Sequence, residues 1–396
     1  MDIRLAKRVQ RVKPSATLAV TARAAELRAA GHDIIGLGAG EPDFATPEHI
    51  RAAAAAAIDR GETRYTAVDG TPELKQAIQS KFERENGLRY ELNQIIASSG
   101  AKQCIYNLMA AILNPGDEVI VPAPYWVSYP DMVLLAEGVP EIIEAGQDQR
   151  FKLLPEQLEE AITDRTRLVL LNSPSNPSGM AYSHAELAAL GEVLKRYPEL
   201  LIATDDIYEH ILWTTEPFAN IVMLCSELSE RTVVINGVSK TYAMTGWRIG
   251  YAAGPAPVIA AMKKLQSQST SNASSISQAA AVAALTGDQG CIVPMLRAFK
   301  ERHDYVVERL NSMVGVDCAA GDGTFYCFPN MQGAIRKLDG VNDDLDLAEY
   351  LTGAAGVALV PGSAFGLPGH ARISYATSMA NLEKGMDRLQ KVFGRR

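Results

Sequence analysis

The chain has 396 residues, a formal net charge of −8, and 47% hydrophobic beside 21% charged residues. Single cores stop growing near ~250–300 residues, so this length predicts more than one domain, and the balance is that of a globular chain. The acidic charge argues against nucleic acid or an anionic membrane surface as a partner, so any anion site has to be built from a few placed cations.

The N-terminal stretch MDIRLAKRVQRVKPSAT lacks the apolar core of a secretory signal. No apolar run approaches the ~18 residues of a membrane span. Five scattered cysteines (Cys104, Cys225, Cys291, Cys318, Cys327) form no C-x-x-C pair, which reads as reduced thiols. Together these predict a cytoplasmic protein. Next in the chain, GLGAGEPDF has the glycines of a dinucleotide fingerprint but runs into Pro42 and Pro47 rather than a helix, so that reading is rejected.

Two segments then share helix-start chemistry. Thr46, Pro47 and Glu48 predict a cap, a first helical position and a dipole partner, with Gly61 closing the helix; Thr71, Pro72, Glu73 and Gly87 repeat the pattern. From about residue 95, apolar runs (EVIVP, RLVLLN, LLIAT, TVVIN, IGYAAG) alternate with helical patterns such as AKQCIYNLMAAIL and SHAELAALGEVLKRY. Near-continuous apolar strands between helices predict a largely parallel sheet covered on both faces. Past residue 290 the texture changes to a long charged helix and short strands near TFYCFP and RISYAT. The expected architecture is α/β, with a large domain over 47–290 and a smaller α+β domain from 1–46 and 291–396.

Ligands of open α/β sheets sit outside the carboxyl ends of the strands. Three predicted strands end in polar clusters, NSPSNPSG, DDIYEH and GVSK, which would place Asn176, Asp205, Tyr208 and Lys240 around one crevice. SSGAKQ (98–103) opens a helix with small residues, which is either an ordinary Ser-capped helix start or an anion site where backbone amides approach a phosphate, with Arg248 as a bidentate partner. Trp126, in a Pro-rich loop after EVIV, is a candidate to stack on a ring. A phosphate-bearing aldehyde accounts for the set. A desolvated lysine bonds the aldehyde, and a carboxylate keeps a pyridine nitrogen protonated so that the ring becomes an electron sink.

On GVSKTYAMTGWRIG, RVKPSATLAV, GAGEPDF, RYTAVDGTPEL, PYWVSYP, NSPSNPSG, TDDIYEH and RISYAT, the chain resembles fold-type I, pyridoxal-phosphate-dependent aminotransferases of class I/II, and within them the bacterial aspartate/prephenate branch. The resemblance implies that Lys240 bonds the cofactor and moves the substrate proton, Asp205 pairs with the ring nitrogen, Tyr208 and Asn176 hold the ring hydroxyl, and Trp126 stacks. It assigns the phosphate to Gly100, Ala101, Lys102, Ser239 and Arg248, with Tyr65 arriving from the second subunit of a homodimer. Arg372 and the Gly40 backbone, beside Trp126 and Asn176, would receive the substrate, and Lys13 its distal carboxylate.

No metal is expected. Asp205-Asp206 departs from the family's Asp-Glu, which leaves Asp206 a structural role. The implied activity is a ping-pong amino transfer between aspartate or glutamate and a 2-oxo acid, extending to prephenate. The alternatives are another enzyme of the same fold (an aromatic or broad-range aminotransferase, a C–S lyase or a decarboxylase) and a non-enzymatic binding module.

Overall fold

A computed structural model describes residues 3–396. Seven of its strands make one sheet: β2 (Ile95–Ser98), β3 (Glu118–Ala123), β4 (Val139–Glu144), β5 (Thr166–Asn172), β6 (Leu201–Asp205), β7 (Thr232–Gly237) and β8 (Gly250–Ala253), following the short β1 (Ile35–Gly36) in the chain. The order across the sheet is β2-β8-β7-β6-β5-β3-β4. All neighbours are parallel except β8, which runs antiparallel to both β2 and β7.

The unbroken apolar runs are explained by burial on both faces. In β5, Val169 and Leu171 enter one core cluster while Leu168 and Leu170 enter another. Helices Glu48–Asp59, Pro72–Lys81, His184–Lys195 and Ser275–Thr286 cover the first face. Helices Ala101–Ile112, Ser128–Leu135 and Ala256–Ser269 cover the second. Each fully buried leucine contributes ~1.5–3 kcal/mol relative to exposure, and an unpaired buried charge is costly, so the charged residues of β3, β5 and β6 fall at the strand ends, as Glu118, Arg167 and Asp205 do. Among the described residues no single helix is long and apolar enough to cross a membrane.

The last third of the chain carries β9 (Tyr326–Cys327), β10 (Val357–Ala358), β11 (Val360–Pro361) and β12 (Ala371–Ser374). An antiparallel sheet in the order β11-β12-β9 packs with helices Ile292–Asn311 and Met379–Phe393 around Phe299, Leu310, Leu382 and Met386. β1 pairs in parallel with β10, so a segment from the start of the chain joins this second body.

Thr71 caps its helix as its sequence predicts, accepting from the Leu74 amide at 3.2 Å. Thr46 does not cap: the helix starts after Pro47. The Thr46 hydroxyl instead donates to the Ala243 carbonyl at 2.7 Å and accepts from Trp247 Nε1 at 3.0 Å. It thereby pins the turn that follows Lys240.

Candidate active site

Register brings the strand-end clusters together. Asn172 on β5 lies opposite Asp205 on β6, so both strands finish at one level. The Asp205 carboxylate is buried; Tyr129 Oη donates to Oδ2 at 2.6 Å and the Ile207 amide to Oδ1 at 3.3 Å. Burial pushes Asp205 up to about 6, against the Tyr129 and Ile207 hydrogen bonds and the charge of Lys240. Asp206 takes hydrogen bonds from Thr204 Oγ1 at 2.5 Å and Asn220 Nδ2 at 2.7 Å, away from the cavity. Burial pushes it up to about 7.

Lys240 follows β7 and is half-buried, its Nζ donating to the Gly40 carbonyl at 2.5 Å. Burial lowers its amine to about 8, Arg372 and Arg248 lower it further by charge, and Glu41 and Asp205 oppose them. The amine is therefore partly neutral near physiological pH, as a nucleophile or base requires.

At the opposite wall the chain turns at Gly100, whose φ of 91° suits glycine, and the helix Ala101–Ile112 begins. A Cβ at Gly100 would collide with the Arg248 guanidinium, and one at Gly250 with the Ala101 nitrogen. Two glycines thus let Arg248 and β8 approach the first amides of the helix, which lack intrahelical acceptors. Arg248 donates to Thr245 O at 2.9 Å and Ser99 O at 3.3 Å. Lys102 Nζ sits 4.8 Å from the Trp126 ring centroid; burial and the charge of Arg248 lower its pKa.

Arg372, in the middle of β12, is 1% exposed. Its Nη1 donates to Asn176 Oδ1 at 2.9 Å and its Nη2 to Gly38 O at 2.8 Å, while Nε is buried without a partner among the described residues. Its guanidinium carbon lies 4.4 Å from the Tyr326 ring centroid, and Tyr326 Oη lies 3.1 Å from Tyr208 Oη. Burial raises the Tyr208 pKa, which keeps that phenol protonated.

Gly40, Ala101, Lys102, Trp126, Asn176, Asp205, Tyr208, Ser239, Lys240, Arg248 and Arg372 all line one cavity of about 460 Å³. Gly100 shapes its turn from behind. Two expected residues are not brought there within one chain. Tyr65 is 91% exposed on a separate loop. Lys13 is exposed beside Asp131, whose carboxyl burial raises and Lys13 opposes; its neighbours Ser15 and Thr17 do line the cavity. Sequence reasoning passes over Tyr129, Tyr326 and Thr17, whose buried Oγ1 has no partner among the described residues. Tyr129 sits inside the PYWVSYP motif, three residues past Trp126, which is the one signal for it.

A phosphorylated pyridine aldehyde asks for an amine, a buried carboxylate and a cationic cradle at a helix start. Lys240, Asp205, and Arg248 beside Gly100–Lys102 supply that donor set, so the residues fit the group.

Known proteins agree. A family profile, "Aminotransferase class I and II", matches residues 32–389. An aspartate/prephenate aminotransferase of Nitrosomonas europaea is 57% identical, covering 98% of this chain and 100% of its own; one from Cereibacter sphaeroides is 55% identical, covering 98% of each. The crystal structure of the Rhizobium meliloti aspartate aminotransferase superposes with a TM-score of 0.96 at 51% identity over 100% of both chains. The Thermus thermophilus aspartate aminotransferase with maleate superposes at 0.93 and 43%, over 99% of this chain and 100% of that one. The chain belongs to the class I and II aminotransferases, a family that uses pyridoxal phosphate.

Proposed function

We propose that this chain moves amino groups between aspartate or glutamate and 2-oxo acids, with prephenate among its acceptors. One observation carries the reading: an amine (Lys240), a carboxylate (Asp205) and a guanidinium (Arg372) from three distant segments meet in one cavity. The relatives named for aspartate and prephenate, and the relative solved with maleate, a dicarboxylate, support the substrate class.

Pyridoxal phosphate, when bound, supplies the aldehyde that takes up the amino group and the ring that withdraws electrons from the substrate Cα. Arg248, Ser239 and the amides of the Gly100–Lys102 turn would hold the phosphate, and Trp126 would stack on the ring. Asp205 would hold the proton on the ring nitrogen by charge. Tyr208 and Asn176 would bind the ring hydroxyl. Arg372 grips the α-carboxylate with two parallel hydrogen bonds. Lys240 Nζ takes the Cα proton and returns it elsewhere on the reacting pair. One water would supply the oxygen with which the donor leaves as a 2-oxo acid, its amino group left behind, and a second 2-oxo acid would then collect that group as a water is released.

We assign the distal carboxylate to Lys13, carried inward as the N-terminal segment closes over Ser15 and Thr17 and excludes water. We assign 47–290 to the cofactor domain and 1–46 with 291–396 to the closing domain, which the pairing of β1 with β10 supports. The exposure of Tyr65 supports a homodimer in which that phenol reaches the partner's phosphate.

The test is a half-reaction screen. The near-visible spectrum of the bound cofactor is followed with aspartate, glutamate and alanine singly, then with 2-oxoglutarate, oxaloacetate and prephenate on the aminated enzyme. Aspartate and glutamate should convert the spectrum and prephenate restore it. No spectral change with any amino acid overturns the reading.

A further inference from the structure

Tyr65 is 91% exposed, yet the loop that carries it is anchored from below by two glutamines of 0% exposure. Gln278 donates to Thr66 Oγ1 at 3.0 Å and Ala273 O at 2.8 Å, and accepts from the Thr71 amide at 2.8 Å. Gln266 donates to Val68 O at 2.7 Å and Ala97 O at 2.9 Å, and accepts from Ser98 Oγ at 2.6 Å and Asn107 Nδ2 at 3.0 Å. A glutamine amide has two donor hydrogens and an oxygen with two lone pairs, so Gln266 uses its whole capacity. An apolar side chain would fill the volume without demanding partners. A fully satisfied buried amide instead specifies where its partners sit.

Those partners belong to two functional segments. Val68 is three residues past Tyr65. Ala97 and Ser98 end β2 just before Gly100, and Asn107 lies on the helix whose first turn is Ala101–Lys102. The Ala97 amide also donates to the Asp69 carbonyl at 2.9 Å. The Asp69 carboxylate pairs with Lys75 at 2.6 Å and Lys263 at 2.9 Å, so the loop keeps a second, ionic anchor.

We propose that Gln266 is a positioning residue that holds the Tyr65 loop and the phosphate turn in one frame. Each subunit's contribution to its partner's cofactor site is thereby tied to the geometry of its own. The inference rests on the reading of Tyr65 as a cross-subunit phosphate contact.

The test is a double-mutant cycle on apo-enzyme. Dissociation constants for inorganic phosphate and for pyridoxal phosphate are measured in wild type, Gln266→Met, Tyr65→Phe and the double variant, together with each Tm. Gln266→Met should weaken both ligands by on the order of tenfold, because it leaves two carbonyls without donors and the turn unfixed. Tyr65→Phe should weaken them in wild type but by a smaller factor in the Gln266→Met background. Unchanged phosphate affinity with a lowered Tm shows that Gln266 only packs, and overturns the proposal. Equal Tyr65→Phe effects in both backgrounds overturn the shared frame. If Tyr65→Phe has no effect in wild type, the cross-subunit reading fails, and the coupling with it. Should Gln266→Met not fold, Ser98→Ala, which removes a single hydrogen bond to Gln266, takes its place in the cycle, and the same outcomes support or overturn the proposal.

Discussion

Replacing Tyr129 by Phe removes one oxygen from the site and asks whether Asp205 is being held in its charged form. The phenol donates to Asp205 Oδ2 at 2.6 Å, and its ring packs edge-on against Trp126 with centroids 5.3 Å apart. Phe preserves that packing, so the perturbation is electrostatic. Burial pushes Asp205 up to about 6, and the Tyr129 hydrogen bond is the first force opposing it. A hydrogen bond to a charged group is worth ~1.5–3 kcal/mol, and 1.36 kcal/mol corresponds to one pH unit, so its loss moves the ionisation up by about 1–2 pH units. A protonated Asp205 offers no charge to a ring nitrogen. Cofactor affinity therefore falls as pH drops through the ionisation, and in Tyr129→Phe the fall begins at higher pH. The assay is the dissociation constant of pyridoxal phosphate from apo-enzyme between pH 5 and 9. The ionisation of the cofactor phosphate is common to both proteins and cancels in their ratio. At pH 7 the variant should bind about 2- to 10-fold more weakly, with the two proteins converging by pH 9. Superimposable curves, with only a lower Tm in the variant, would show that Tyr129 packs and does not tune Asp205.

Lys240, lowered to about 8, should be trapped by pyridoxal phosphate and borohydride at a rate rising with pH to a midpoint near 8, read by mass spectrometry of its peptide; a midpoint near 10 refutes the burial argument. Arg372→Lys keeps the charge but loses the fork, and kcat/KM for aspartate should fall on the order of 10²-fold in steady-state kinetics, against which a drop under about threefold would count. Asp206 has a folded pKa of about 7, well above the ordinary carboxylate range of the unfolded chain, so the folded apo-protein binds the extra proton and loses stability as pH rises through that window. Asp206→Asn has no proton to shed and should show a flatter slope of apo Tm against pH; an unchanged slope refutes this. Lys13→Ala should lower the ratio of aspartate to alanine turnover by roughly tenfold, and an unaltered ratio removes Lys13 from the distal subsite.

The strand-end residues were legible because parallel strands with unbroken apolar runs must finish at a common edge, where polar side chains have nowhere else to collect. Asn172 and Asp205 lie opposite one another for that reason. Tyr129 was not legible, because its partner is 76 residues away and no local period announces a helix start aimed at a neighbouring strand. Thr46 misleads in the same way: its local context is that of a cap, and a contact 197 residues on takes the hydroxyl instead. For Lys13 a motif names the residue, but its distance from the cavity depends on how the N-terminal segment docks, which short-range pattern does not encode. Tyr326 is hidden by its surroundings, a polar tip between Phe325 and Cys327 in a buried strand.

The charge arrangement links these observations. A chain of net charge −8 builds a cavity where four cations, Lys102, Lys240, Arg248 and Arg372, face two carboxylates, Glu41 and Asp205. Such a lining draws in dianions while the outer surface repels them. The same arginines act on Lys240, since Arg372 and Arg248 add to burial in lowering it. Binding and tuning are therefore one arrangement. On the proposed roles, the guanidinium that would receive a carboxylate also lowers the neighbouring amine, and seating that carboxylate would offset the field which held the amine down. Lys240 would thus become easier to protonate just when a substrate Cα has a proton to give. A lysine at position 372 would retain that field while losing the fork, so its cost falls on substrate binding and leaves the amine's ionisation nearly where it was.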